Sequence, residues 1–296
     1  MKGCYDLHLH IGPEVIPRRY DAIQAGESLR REKMGGAVLK SHYFSTVPFA
    51  KMAWERGFGN VWGSVVLNHY VGGLNPFAIR ASLGMEDGAG RKLLKIVWMP
   101  TVHAAAHLSA QQKDGSRYDI PPEWTGGVVT GTPVEQVQPI NVTDPSLRPA
   151  LDEILRILAG EGLILATGHL SREEVLFLVP LAKSRGVEKV ILTHPAYETT
   201  RLTVEDICQL TALGGVYAEQ SYALMPIDGL PLGEIVAYIR GVGAGASILS
   251  TDLGQRGRPS SGEGMQHFLS LLEQEGIPAA DLETMAADNP ARLLGV

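Results

Sequence analysis

The chain has 296 residues, of which 45% are hydrophobic and 20% charged, and its formal net charge is −6. This composition is typical of a folded globular protein and argues against a disordered or low-complexity chain. Lysine and arginine form no cluster, which argues against nucleic acid as a partner. The longest apolar stretch, 175–182, is too short to cross a bilayer, so we expect no membrane partner and a cytoplasmic location.

The first predicted strand, 6–10, carries His8 and His10 two residues apart. Successive side chains of a strand point to opposite faces, so the two imidazoles are expected to emerge side by side. Leu7 and Leu9 are then expected together on the other face. Two imidazoles on one face can supply half of a metal site. Whether they do so depends on the ligands that the other strands supply.

Short apolar runs alternate with helical patterns along the rest of the chain. The predicted strands cover residues 6–10, 37–42, 61–69, 95–103, 163–169, 190–195, 215–220 and 247–252. Near-continuous apolar strands are typical of a parallel sheet covered on both faces. We therefore predict an α/β fold, a single-domain (β/α)8 TIM-type barrel spanning residues 1–296. An open doubly wound sheet is the rival, but the glycine-rich segment 241–245 precedes a strand, whereas a dinucleotide-binding loop follows one.

The alternation is interrupted between residues 105 and 145, where glycine and proline recur. We predict a long irregular or hairpin-like insertion after strand four. Long loops in compact enzymes are most often lids or binding loops, so this insertion is a candidate for substrate selection.

The histidines are not scattered at random. Seven of the nine lie at or near the carboxyl end of a predicted strand, namely His8, His10, His42, His69, His103, His169 and His194. The carboxyl ends of barrel strands surround one mouth, where such enzymes keep their chemistry. Imidazoles grouped with an aspartate, here Asp252 after strand eight, indicate a catalytic metal site, since structural zinc sites more often use thiolates.

These residues carry a resemblance to a known family. The His-x-His of strand one, His169 and His194 after strands five and six, Asp252 and the terminal segment 288–295 together resemble the amidohydrolase superfamily. The resemblance implies a distorted barrel with one or two divalent ions, zinc being expected and manganese or iron the alternatives. By the family pattern, the first ion is held by His8, His10 and Asp252, and the second by His169 and His194.

The sequence departs from the family at strand four. Many binuclear members bridge the two ions with a carboxylated lysine or a glutamate from that strand, but here it ends in Thr101-Val102-His103. Lys40, after strand two, is the available substitute. Nearby positive charge and burial lower the pKa of an amine, so Lys40 is a candidate for a bridging N6-carboxylysine, or alternatively for binding a substrate carboxylate.

The resemblance implies hydrolysis by metal-activated water of a C–N or C–O bond in a small carbonyl compound such as a cyclic amide or imide, an N-acyl compound or a lactone. Asp252 is expected to transfer the proton, and His103 or His69 to donate to the developing oxyanion. The alternatives are a mononuclear metal-dependent decarboxylase of the same superfamily and a non-catalytic ligand-binding barrel. We expect a small-molecule substrate and a homo-oligomer.

Overall fold

The computed structural model describes residues 3–113 and 137–296. Eight parallel strands form one sheet in sequence order. Their bounds are β1 Tyr5–His10, β2 Gly36–Lys40, β3 Val61–Val66, β4 Leu94–Trp98, β5 Ile164–Ala166, β6 Lys189–Leu192, β7 Val216–Ser221 and β8 Ser247–Ser250. The strands are mostly shorter than predicted at their carboxyl ends, because the polar residues there belong to the loops that form the mouth.

The sheet closes on itself at the junction of β8 and β1. Leu9 forms an isolated parallel bridge with Leu253, and the backbone N–H of His10 donates to the Leu253 carbonyl at 2.8 Å. The N–H of Asp252 donates to the His8 carbonyl at 2.9 Å. The predicted (β/α)8 barrel is confirmed, and the rival open sheet is excluded.

Helices alternate with the strands and cover the barrel. They are α1 Ala22–Arg31, α2 Val47–Glu55, α3 Pro76–Leu83, α4 Ala105–Lys113, α5 Arg148–Glu161, α6 Arg172–Ser184, α7 Val204–Thr211, α8 Leu232–Val242, α9 Ser261–Gln274, α10 Ala279–Glu283 and α11 Asn289–Leu294. Capping boxes begin several of them, including the one at Ser171 and Glu174 that starts α6. Within the described residues, none of these helices combines the length and the apolar character needed to cross a bilayer.

The predicted insertion 105–145 begins differently from the expectation. Its first nine residues form α4, whereas irregular backbone was expected from Ala105 onward. Three successive alanines favour this helix, and the glycines and prolines that suggested a loop occur later in the segment. Residues 114–136 lie outside the described part of the chain, so for those residues the prediction is neither confirmed nor contradicted.

The barrel interior is filled by side chains from every strand. One buried cluster takes at least one residue from each, among them Leu7, Val38, Trp98, Ile191 and Ile248, while other buried clusters lie between strands and helices. The interior is therefore a packed core.

The prediction that Leu7 and Leu9 share a face is wrong. The pairing of β1 with β2 shifts by one residue between Asp6 and Leu9, so Leu7 joins the interior cluster whereas Leu9 packs under the helices. Such a bulge re-aims side chains next to a functional site.

Candidate metal centre

Imidazoles from β1 and from the loop after β6 meet one carboxylate at the mouth of the barrel. The Nε2 atoms of His8 and His10 lie 2.9 and 3.1 Å from Oδ1 of Asp252. Nε2 of His194 lies 3.4 Å from the other oxygen, Oδ2. Ligand atoms of His8, His194 and Asp252 all lie within 4.8 Å of one another. Residues separated by more than half of the chain are thus within coordination reach of a common point.

Two members of this group have unusual backbone conformations. His194 has a φ of 44° and Asp252 a φ of 53°, in the left-handed region that side chains seldom adopt. Each such residue costs about 1–3 kcal/mol and persists only where surrounding contacts fix it, most often at functional sites. The strained backbone at both positions supports a functional role for this group.

Burial keeps two of the imidazoles neutral. Burial lowers the pKa of His194 to about 4, against the opposing charges of Asp252 and Glu219. Burial and the nearby Arg18 guanidinium lower the pKa of His10 well below its ordinary value. Neutral imidazoles present the nitrogen lone pairs that a metal ligand needs.

Asp252 is held as a carboxylate. Burial opposes its charge, but the charge of His8 and hydrogen bonds from His10 and His8 outweigh it and lower the pKa of Asp252 well below its ordinary value. A carboxylate accompanied by imidazoles is a donor set that suits zinc and related ions.

Glu219 of β7 is a member of the site that the sequence did not assign. Its two carboxylate oxygens each lie 3.2 Å from Nδ1 of His8, and its side chain is fully buried. A carboxylate at Nδ1 fixes the tautomer of an imidazole and directs the lone pair of Nε2 outward. Burial alone lowers the pKa of His8, but Asp252 and Glu219 favour its charged form, and the net pKa is raised. These two carboxylates therefore stabilise positive charge at His8, whether a proton or a bound cation supplies it.

Lys40 is buried at the end of β2, directly opposite His10 in the strand pairing. Its Nζ lies 2.7 Å from Nε2 of His8 and 4.4 Å from the centre of the Trp98 ring. Burial lowers the pKa of Lys40 to about 8, although Asp252 and Glu219 oppose the shift. A lowered pKa increases the fraction of neutral, nucleophilic amine at a given pH.

His169 is not a member of the group that His8, His194 and Asp252 form, whose ligand atoms all lie within 4.8 Å of one another. Its ring centre is 6.0 Å from that of His194, and its Nδ1 lies 3.0 Å from Nδ1 of His107. His107 is one of the two histidines that do not lie at the carboxyl end of a predicted strand.

The two predicted oxyanion donors form a separate pair. The backbone N–H of His69 donates to Nδ1 of His103 at 3.1 Å, and their ring centres are 5.0 Å apart. His103 also contacts the Tyr70 ring, and Nε2 of His69 donates to the Gln138 carbonyl at 2.6 Å. Their described contacts are with one another and with the surrounding loops.

Asp6 joins the two ends of the barrel below the site. Its carboxylate accepts hydrogen bonds from the backbone N–H and the hydroxyl of Thr251, at 3.0 and 2.5 Å, and from the Ser261 hydroxyl at 2.6 Å. Because Thr251 precedes Asp252, the contacts of the fully buried Asp6 restrain the backbone that carries Asp252.

A cavity of about 340 Å³ lies next to Tyr197, and no histidine is among its described lining residues. Tyr197 lines it and also packs its ring against His169 and His194, with centres 5.2 and 5.9 Å apart. Arg201, Asp228 and Tyr238 are among its other lining residues. Its volume suits a small molecule.

A divalent cation fits this site on chemical grounds. Three imidazole nitrogens face one carboxylate, and Nδ1 of His10, a buried polar atom, makes no hydrogen bond within residues 3–113 and 137–296. Buried nitrogen and oxygen donors on different strands are difficult to explain by packing alone.

The chain belongs to DUF6282, a family of unknown function, which its sequence matches over residues 3–219. No curated protein matches the sequence.

Solved structures share the fold at low sequence identity. A candidate 2-pyrone-4,6-dicarboxylic acid hydrolase from Pseudomonas putida is 15% identical with a TM-score of 0.58, and the match covers 100% of this chain and 98% of that one. A lactonase template used to engineer organophosphate hydrolysis is 14% identical, with a TM-score of 0.57 and coverage of 100% and 96%. An amidohydrolase from Pseudomonas aeruginosa is 10% identical, with a TM-score of 0.56 and coverage of 99% and 95%. These similarities show a shared barrel over the whole length of the chain.

Proposed function

We propose that this protein is a metal-dependent hydrolase that cleaves a C–N or C–O bond of a small carbonyl compound, such as a cyclic amide or imide, an N-acyl compound or a lactone. The observation that carries the proposal is the convergence of His8, His10 and His194 on the Asp252 carboxylate at the barrel mouth. The hydrolase names of the structural neighbours agree with it.

His8, His10, His194 and Asp252 would hold a divalent ion, with zinc proposed and manganese or iron as alternatives. Such an ion supplies a water of lowered pKa and polarises a carbonyl group. Glu219 would hold the His8 ring in the orientation that ligation requires, through the contacts at Nδ1.

Asp252 is the proposed general base and acid. Its low pKa keeps it ionised at neutral pH, ready to accept a proton from the attacking water and to return it to the leaving nitrogen or oxygen. Its backbone is fixed on one side by the His8 carbonyl and follows Thr251, which Asp6 holds. A fixed acceptor reduces the reorganisation needed when charge develops. His103 and His69 stay predictions as oxyanion donors.

Lys40 is the proposed position of a bridging N6-carboxylysine. Its neutral amine would attack carbon dioxide and lose a proton, forming an anionic carbamate beside His8. Carbon-13 NMR of the protein prepared with carbon-13-labelled bicarbonate tests this directly. A carbamate on Lys40 gives a carbon resonance, and that resonance should be absent from the Lys40→Met variant. Absence of that resonance from the wild type assigns the ammonium form to Lys40 and favours a contact with a substrate carboxylate.

The experiment that tests the function compares metal-stripped and metal-reloaded protein on a panel of lactones, cyclic amides and N-acyl compounds. Hydrolysis that is lost on stripping and restored by zinc, manganese or iron is the expected result. Metal-dependent release of carbon dioxide from aromatic acids, without hydrolysis, would favour the decarboxylase instead. No metal-dependent turnover of any compound would contradict the proposal and favour a ligand-binding barrel.

A further inference from the structure

The cavity of about 340 Å³ is lined by the loops that follow β6 and β7 and by the start of α8. Tyr197 and Arg201 belong to the first loop, Asp228 to the second, and Tyr238 to the helix. Both loops leave the carboxyl ends of their strands, so the cavity lies on the same side of the barrel as the proposed metal centre. The steps proposed for hydrolysis use none of these four residues.

Two observations connect the cavity to the proposed metal centre. The ring of Tyr197, which lines the cavity, has its centre 5.9 Å from that of His194. Asp228 is close enough to Asp252 for the charge of that carboxylate to raise the pKa of Asp228. A substrate whose carbonyl group lies at the metal would therefore have room for a further substituent in the cavity.

Carboxylates outnumber cations in the lining. Glu198, Asp228 and Glu234 are accompanied by the single guanidinium of Arg201, which lies 3.8 Å from Glu198. The side chains of Asp228 and Glu234 make no ion pair or hydrogen bond within residues 3–113 and 137–296. The cavity thus presents negative charge that the described protein leaves uncompensated.

Asp228 is the carboxylate that local structure does not explain. Glu234 lies in the first turn of α8, where the helix dipole favours negative charge. Asp228 lies in a turn closed by the Gly229 N–H, which donates to the Met225 carbonyl at 3.2 Å. Although Asp228 reaches solvent, the surrounding protein raises its pKa to about 7, and the charge of Asp252 adds to the shift. A positively charged partner would offset both effects.

The lining suits an organic cation better than a metal ion. Within the described residues, the one group of three or more potential ligand side chains close enough to share an ion is at the proposed metal centre. The volume of the cavity is that of a small organic molecule. Tyr197 and Tyr238 add aromatic rings, which attract organic cations. The Tyr238 hydroxyl donates to the Leu202 carbonyl at 2.6 Å, a contact that restrains its ring.

We propose that this cavity binds an ammonium group of the substrate through Asp228, while the carbonyl group of the substrate lies at the metal. The substrate is then an amine-bearing lactone, cyclic amide, imide or N-acyl compound. An ammonium group has three donors and no acceptor, and its hydrogen bonds to a carboxylate are charge-assisted. This inference rests on the proposed function, since it names the substrate class of the same site.

The first test measures the binding of three probes to zinc-loaded, full-length protein by isothermal titration calorimetry. Benzylamine, benzyl alcohol and benzoate share an aromatic ring and carry a positive charge, no charge and a negative charge at neutral pH. Benzylamine should bind about tenfold or more tightly than benzyl alcohol, the gain typical of a charge-assisted hydrogen bond. Benzoate should bind the most weakly. This comparison uses the wild type and does not depend on how well a variant folds.

The second test locates the charge preference. Asp228→Asn should remove it, whereas benzylamine bound at the zinc ion would keep it. Asp228→Lys should reverse it in favour of benzoate, a gain that misfolding does not produce. Glu205→Gln is the matched control, because Glu205 is exposed on α7 and is not among the lining residues.

Equal binding of benzylamine and benzyl alcohol, tighter binding of benzoate by the wild type, or a preference that survives in Asp228→Asn would overturn the ammonium site. Metal-dependent hydrolysis of neutral lactones in the same preparation would then leave the proposed function standing. A preference that depends on Asp228, in a protein without metal-dependent turnover, would support the ammonium site and overturn the proposed function.

Discussion

At the barrel mouth, two residues of the proposed site have unfavourable backbone conformations. His194 and Asp252 both occupy the left-handed region, while their partner His8 lies in β1 where the pairing with β2 shifts by one residue. Both residues lie in the loops that follow β6 and β8. Their proposed roles differ, since His194 is a proposed metal ligand and Asp252 is also the proposed proton acceptor, so substitutions at the two positions should have different effects.

His194→Ala should lose metal and activity together, because it removes a ligand nitrogen. Asp252→Asn should lower turnover more than metal content, with a fall of about 10²–10⁴ typical for a lost general base. Elemental analysis and steady-state kinetics on the same samples measure both effects. His267→Ala is the control, since His267 is exposed on α9 and hydrogen-bonds Tyr222. Full activity in both site variants would place the centre elsewhere.

Glu219→Gln should weaken metal binding without removing a ligand. The amide still fills the space beside His8 but no longer stabilises its charge or specifies its tautomer, and loss of such a contact typically costs about 10–100-fold in metal affinity. Competition with a chromophoric chelator gives the affinity. An unchanged affinity would assign Glu219 to packing alone.

The sequence predicted His8 and His10 because strand alternation places them on one face, and it predicted His194 and Asp252 because each ends an apolar run. It could not assign Glu219, since Glu219 and Gln220 both lie near the end of β7 and periodicity alone does not tell which one faces inward. The contact of His107 with His169 was not predicted, because His107 lies on α4, where the sequence indicates irregular backbone.

At the scale of elements, polar contacts at the helix starts help to fix the loops. Thr203 begins α7 with a capping box completed by Asp206, and Arg172 at the start of α6 makes two hydrogen bonds to Asp206, at 2.6 and 2.7 Å. This links two neighbouring helices next to the loop that carries His194.

Thr203→Ala should lower the free energy of unfolding by about 1 kcal/mol, the usual cost of losing an N-cap. Urea denaturation measures it, and Glu205→Gln, an exposed neighbour in the same turn, should change stability little. Equal effects of the two substitutions would contradict a capping role for Thr203.

Asp206→Asn gives a stability difference that depends on pH. Hydrogen bonds from Arg172, then from Thr203, lower the pKa of Asp206 to about 2 from 3.8. A depressed folded-state pKa contributes stability that is present above pH 3.8 and is lost as pH falls through about 2. The wild type should therefore be more stable than the variant at neutral pH, with the difference shrinking in acid. A pH-independent difference would contradict the assignment.

The elements themselves were predicted better than their ends. Apolar runs identified all eight strands, because parallel strands are buried on both faces. Most of the predicted strands extend too far at their carboxyl ends. The histidines that follow β3, β4 and β5 were included in the predicted strands, but they lie beyond the last residue of each strand.

At the scale of the whole molecule, closing the barrel is what assembles the site. Asp6 in β1 binds Thr251 after β8 and Ser261 at the start of α9, so one buried carboxylate fastens the junction. The sequence predicted the closure from the number of strands but not this contact, because it joins residues about 245 positions apart.

Asp6→Asn should destabilise the protein by about 1–3 kcal/mol, because the amide nitrogen faces hydrogen-bond donors and leaves them unsatisfied inside the core. Asp288→Asn, at an exposed aspartate, is the control and should be nearly neutral. Chemical denaturation distinguishes them. If the two variants are equally stable, the junction does not depend on Asp6.

Self-association of the protein stays a prediction, and sedimentation of the purified protein tests it.

The central claim is that the mouth of this barrel holds a divalent metal. The most direct measurement is elemental analysis of the protein as purified from cells, beside a His8→Ala, His194→Ala double variant. We expect at least one equivalent of zinc, manganese or iron in the wild type and a loss of at least one equivalent in the variant. A wild type without metal, or a variant that retains the same metal content, would contradict the account.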